Sequence, residues 1–173
     1  VITALTLHAD LSHLAGNCLI SAFLIYFFIQ INGPGVGLLA ILLAGGAGNW
    51  INDVMHGSGH LSVGFSTAVF ALVGMLSMYR IIEQKQPLGI RMFVPFMAGI
   101  ALLAMLGSSG PRTDLGAHLF GLGSGLAVGA GLASSFVRSI RSSSFLQVCS
   151  LILGLMILIL CWQQALTEGN YQL

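Results

Sequence analysis

The chain has 173 residues, of which 56% are hydrophobic and only 6% charged, with a net charge of +1. Its mean hydropathy is +0.94. A water-soluble domain carries about a quarter charged residues, so most of this surface must face lipid, and the lack of a basic stripe argues against a nucleic-acid partner.

Six apolar runs follow in chain order: Leu14–Ile31, Val36–Trp50, Phe65–Ile82, Arg91–Leu106, Leu115–Val137 and Phe145–Trp162. A helix needs about 20 mostly apolar residues to cross a bilayer, and backbone groups in lipid must bond internally. The period-two alternation of a barrel is absent. The runs therefore predict an all-α, polytopic transmembrane bundle forming one domain over residues 1–173. Before the first run, the segment opening on Val1 has no basic stretch and carries His8, Asp10 and His13. It is not a signal peptide, and the chain reads as a fragment or processed form whose start lies upstream. Cys18, Cys149 and Cys161 sit singly in apolar runs with no CxxC pair, as small packing residues.

Each run carries its own marks. His13 and Asn17, four apart, share one face as the first run begins. The second run ends at Trp50, an expected interface residue along with Tyr79 and Trp162. The connection after it holds His56 and His60 around Gly57-Ser58-Gly59; this is a polar loop rather than a metal pair, because glycines discourage the helix that would align two ligands. Ser66 enters the third run. In the fifth, His118 heads a seam of Gly121, Gly125 and Gly129, small residues that let a neighbouring helix approach closely.

Basic residues orient the bundle. Arg80, Lys85, Arg91, Arg138 and Arg141, five of the six, fall in or beside two connections on the same side. The positive-inside rule makes that side cytoplasmic. The first, third and fifth runs then all start on the opposite side, and His13, Asn17, Ser66 and His118 share one shallow depth. If the Phe65–Ile82 run packs on the glycine seam, His118 meets Ser66.

That meeting has a chemical reading. A neutral imidazole can take the proton that a serine hydroxyl must lose to become a nucleophile. His13 and Asn17 side chains with the Ser66 backbone N–H could donate to the resulting oxyanion. Asp114 lies one turn before His118 and nearer the surface, so a dyad is expected rather than a triad. A zinc protease would need an HExxH helix, which is absent. An aspartyl protease would need two buried aspartates, whereas Asp53 and Asp114 fall in connections. A transporter would show broken midplane helices.

Three segments carry a resemblance to the rhomboid family. His8-Ala-Asp-Leu-Ser-His13-Leu-Ala-Gly-Asn17 resembles its HxxxN helix with the preceding histidine. Gly64-Phe65-Ser66-Thr67 is similar to its GxSG nucleophile segment, and Ala117-His118-Leu119-Phe120-Gly121-Leu122-Gly123-Ser124-Gly125 to the helix bearing its base. The motifs stand in family order between His8 and Gly125.

The resemblance implies an intramembrane serine endopeptidase with Ser66 as nucleophile, His118 as base, and His13 and Asn17 as oxyanion donors. It implies transmembrane protein substrates, no cofactor and no metal, with Gly64, Gly121 and Gly125 shaping the site. His8 either braces the loop before the first helix or is solvated. The family's first helix is missing before His8, and the last run matches the extra C-terminal helix of some members. Thr67 stands where the motif has Gly and should add bulk beside the nucleophile, narrowing the substrate pocket. The alternative function is an inactive rhomboid-like protein that binds or escorts membrane proteins. The compact chain suggests a bacterial inner membrane, with the site near the non-cytoplasmic side.

Overall fold

The computed structural model describes residues 1–57, 62–83 and 114–169, with residues 89, 93, 97 and 101. Among the described residues the chain is all-helical: a short 3-10 turn, Thr3–Thr6, then α1 (Leu11–Asn32), α2 (Pro34–His56), α3 (Ser66–Glu83), α4 (Leu115–Leu132), α5 (Ser135–Ser142) and α6 (Ser144–Gly169). Four of these, α1, α2, α4 and α6, are long and apolar enough to cross a membrane, and α3 is a shorter apolar helix. The expected run Arg91–Leu106 lies outside the described residues apart from 93, 97 and 101.

Local chemistry sets the helix ends. Asp10 caps α1 by accepting the His13 backbone N–H at 2.8 Å, satisfying one of the donors a helix start leaves over. Between α1 and α2 a single residue makes the turn: Gly33 has φ +77, and Pro34 opens α2 at its first position, where a missing N–H costs nothing. The second helix is longer than its apolar run, reaching His56, so Asp53, expected in a connection, stands exposed in its last turn.

The expected fifth run divides. α4 stops at Leu132, and Ser134, with extended backbone, accepts the Val137 N–H at 3.3 Å to start a separate short helix. Phe136, Val137 and Ile140 continue the hydropathy of α4, but Arg138 and Arg141 alternate with them and need a polar face. An amphipathic helix lying along the membrane surface satisfies both sets.

Packing places α2 and α3 at the centre. In the most apolar stretch of α2, 61% of residues are buried, against 17% for α1 and 6% for α6. The core joins Leu5, Phe28, Ala40, Ile41, Ala44, Ala68, Ala71, Leu72 and Met75. Ser66–Ile82 of α3 would rise about 26 Å at 1.5 Å per residue, short of a hydrocarbon layer of about 30 Å. α3 contacts α1, α2 and α4, so this short helix is surrounded by protein.

Candidate active site

The α3–α4 contact is backbone against backbone. A Cβ added at Gly121 would strike the Thr67 carbonyl, and one at Gly125 the Ala71 carbonyl. At Gly129 a Cβ would come within 2.8 Å of Met75 Cα. Positions 121, 125 and 129 thus meet 67, 71 and 75 in step, as the spacing of the glycine seam requires. One position before Thr67, Ser66 opens α3, and His118 stands three positions, about one turn, before Gly121.

The register brings the two side chains together. His118 Nε2 lies 2.9 Å from Ser66 Oγ, and both residues are buried, at 3% and 7% exposure. Phe70, one turn after Ser66, stacks on the imidazole with ring centroids 4.5 Å apart and planes at 20°. His118 Nδ1 has no hydrogen-bond partner among the described residues. The Asp114 carboxylate is engaged elsewhere: one oxygen caps α4 through the Ala117 N–H at 3.0 Å, and the other accepts from Asn52 Nδ2 at 2.6 Å. Stacking, rather than a carboxylate, therefore orients the ring.

Gly64 connects the α1 residues to this pair. Its φ is +130, and a Cβ there would lie 2.7 Å from His13 Cε1 and 3.7 Å from Asn17 Nδ2. A side chain at 64 would be strained by the backbone and blocked by His13. Asn17 is fully buried, and neither amide atom has a partner among the described residues. An unpaired buried amide costs about 1–3 kcal/mol, so its retention calls for a role. The first N–H groups of α3, from Ser66 onward, have no partner within the helix.

The segment before Ser66 is pinned from the chain's start. Gly64 N–H donates to the Ala4 carbonyl at 2.9 Å, and Phe65 N–H points to His8 Nε2 at 3.5 Å. His8 also meets His13 edge-on, with centroids 5.5 Å apart. His8 therefore touches both the segment before α3 and the first turn of α1. Burial and the neighbouring His13 hold its pKa below the usual 6.5, against a bond with Thr6 that raises it, which preserves the neutral ring that accepts an N–H.

Thr67 corrects an expectation. Its side chain is 2% exposed, and its methyl faces Gly48 of α2 and Gly121 of α4. It fills the three-helix junction behind Ser66 instead of narrowing the space in front. Sequence reasoning also missed Phe70 and the Asn52–Asp114 pair. Phe70 could have been found, since four residues separate it from Ser66 on one helical face. His56 Nδ1 lies 2.9 Å from the Asn52 carbonyl, and His60 is outside the described residues.

Comparison with curated proteins gave no significant match, and comparison with solved structures gave none either. The family model described as the Rhomboid domain matches residues 1–135. That stretch contains His13, Asn17, Ser66 and His118, and with four membrane-length apolar helices it establishes that the chain is an integral membrane protein belonging to the rhomboid family.

Proposed function

We propose that the chain is an intramembrane serine endopeptidase acting on transmembrane proteins in or near their spanning segment, with a Ser66–His118 dyad. The observation that carries this reading is the 2.9 Å contact between Ser66 Oγ and His118 Nε2, buried and spanning 52 positions of sequence. Ser66 Oγ attacks the scissile carbonyl carbon while His118 Nε2 takes its proton. The carbonyl oxygen becomes an oxyanion that accepts from Asn17 Nδ2, the His13 ring N–H and the Ser66 backbone N–H. His118 then gives the proton to the departing amine, and a water, activated by the same imidazole, releases the acyl group. No cofactor takes part.

The unpaired buried amide of Asn17 supports its assignment as a donor, because a transition-state oxygen would give it the partner it lacks. The five basic residues on two connections support a cytoplasmic placement for the opposite end of the bundle. This puts the dyad near the outer face of a plasma membrane, a bacterial inner membrane on this reading.

Purified protein offered a fluorophosphonate probe and a model membrane substrate tests the dyad. Wild type should label at Ser66 and cleave; Ser66→Ala and His118→Ala should each lose cleavage by at least about a thousandfold, with the double variant no worse. Cleavage retained by Ser66→Ala would overturn the dyad. A wild-type protein that neither labels nor cleaves would favour the inactive relative that escorts membrane proteins.

A further inference from the structure

At the end of the bundle away from Ser66, where α1 and α3 finish, an open cavity of about 490 Å³ is lined by Gln30, Ile31, Tyr79, Arg138, Arg141 and Ser142. Two guanidiniums, a phenol, a carboxamide and a hydroxyl converge there, and no carboxylate is among its described lining residues. Arg141 is held in position: one of its N–H groups donates to Asn32 Oδ1 at 3.1 Å. A guanidinium carries five such donors, so this bond fixes the fork without exhausting it. Arg138 lies one turn earlier on the same short helix and donates to the Ala133 carbonyl at 3.3 Å.

The surroundings of the cavity select the ligand. On the same short helix as the two arginines Phe136 is 72% exposed, and Phe145 at the start of α6 is 74% exposed. Ile82 at the end of α3 is also exposed. Cationic forks that suit phosphate oxygens are therefore carried on a short helix that also exposes an apolar side chain suited to acyl chains. An amphipathic surface helix with arginines on its polar face is the arrangement that meets anionic lipid headgroups.

We propose that this cavity binds the phosphate of an anionic phospholipid, gripped by Arg138 and Arg141 with Gln30, Tyr79 and Ser142 around it. The site is independent of the protease reading, since it lies at the other end of the bundle and uses none of its residues. Bound lipid would tie α5 to the ends of α1 and α3 across a single headgroup.

The test is native mass spectrometry of the full chain released from nanodiscs of mixed phosphatidylglycerol and phosphatidylcholine with matched acyl chains. Wild type should retain one phosphatidylglycerol in preference to phosphatidylcholine. Each arginine near an anionic headgroup contributes roughly fivefold, so Arg138→Gln with Arg141→Gln should lower retention by about thirtyfold. Ser142→Glu, which leaves the Arg141–Asn32 bond intact, should lower it comparably, so misfolding of the double variant does not decide the matter. Arg80→Gln, at the same end but outside the cavity, should retain lipid as wild type does. An equal loss in Arg80→Gln would mean diffuse surface attraction and overturn the site. Equal binding of soluble glycerol phosphate, competing with the lipid at matched concentration, would overturn the lipid assignment in favour of a free phosphate. No preference of wild type for phosphatidylglycerol would overturn both.

Discussion

Two apolar helices of this bundle, α4 and α6, are held in opposite ways. α4 meets α3 backbone to backbone along Gly121, Gly125 and Gly129, with no room for a methyl group at any of the three. Along most of its length α6 lies against α2 at ordinary distance, so that a Cβ added at Gly154 would meet Leu38 and Leu42 at only 3.6–3.7 Å, and most of its apolar surface is uncovered. Its firm attachment is at one end. Gln147 Oε1 accepts the N–H groups of Gly35 and Val36 at 2.9 and 3.1 Å, while its Nε2 donates to the Asn32 carbonyl at 2.8 Å. A side chain from α6 thus caps the start of α2. In lipid the hydrophobic effect gives helices no reason to associate, so close packing and hydrogen bonds must do so. α4 uses the first over three turns; α6 uses the second, with close packing only at its start, where a Cβ at Gly35 would strike the Gln147 carbonyl. Only the first fixes a side chain to within the fraction of an ångström that chemistry requires, and it is α4 that carries His118.

The comparison breaks if a methyl group in the seam is harmless. Gly125→Ala would put a Cβ where the Ala71 carbonyl stands, so α3 and α4 must part and Ser66 and His118 with them. Misplacing a reacting pair by about 1 Å costs on the order of a hundredfold, and turnover of a model substrate should fall at least that far. Gly123→Ala, whose Cβ would meet nothing within 4 Å, should cleave like wild type. Similar rates for the two variants would show that the seam does not set the site.

The α6 attachment should affect stability more than rate. Gln147→Leu strips two N–H groups of α2 of their acceptor at the buried residues Gly35 and Val36. Leaving buried donors unpaired costs about 1–3 kcal/mol each, and relaxation at a helix end brings the expected loss to about 2 kcal/mol, read from unfolding in mild detergent. Turnover at a temperature where both proteins are folded should change less than about threefold, since each 1.4 kcal/mol of barrier is tenfold and the dyad is remote. A large loss of rate with unchanged stability would make α6 part of the site.

What the sequence revealed follows the same division. The long apolar helices α1, α2, α4 and α6 were legible because lipid exposure writes itself as continuous hydropathy. The Ser66–His118 meeting was legible because helix parity fixes depth and a four-residue glycine repeat names the face of closest approach. The cap from Gln147 was not, because its partners lie 111 and 112 positions away and nothing local distinguishes this glutamine from a solvated one. The break after Leu132 was hidden by Phe136, Val137 and Ile140, which extend the apolar count, although Ser134 and the paired arginines were its signal. Thr67 misled because a motif position gives a residue's neighbours along the chain and not the face its side chain takes. On α3 that face points to Gly48 and Gly121, so bulk at 67 acts on packing, and the glycines opposite make room for it.

The smallest effect expected sharpens the comparison at the start of α3, where the Ser66 segment is pinned by a titratable group. His8 Nε2 accepts the Phe65 N–H only while unprotonated, and the ring's pKa in the folded chain lies below 6.5, chiefly through burial and then through His13. Across that interval the unfolded chain binds more protons than the folded one, so stability rises with pH. The contribution is complete above pH 6.5 and is lost as pH falls through the lowered folded value. Asp10, the nearest carboxylate in sequence, is held below its usual pKa by the N–H of His13 and the hydroxyl of Ser12, so it stays ionised over this interval and does not mimic the effect. Wild type should therefore unfold progressively more easily on acidification from pH 6.5, and His8→Gln, which keeps an acceptor but cannot titrate, should show a shallower slope. An unchanged slope in His8→Gln would assign the acid sensitivity to another group and leave the Gly64–Ala4 bond at 2.9 Å as what secures the nucleophile's segment.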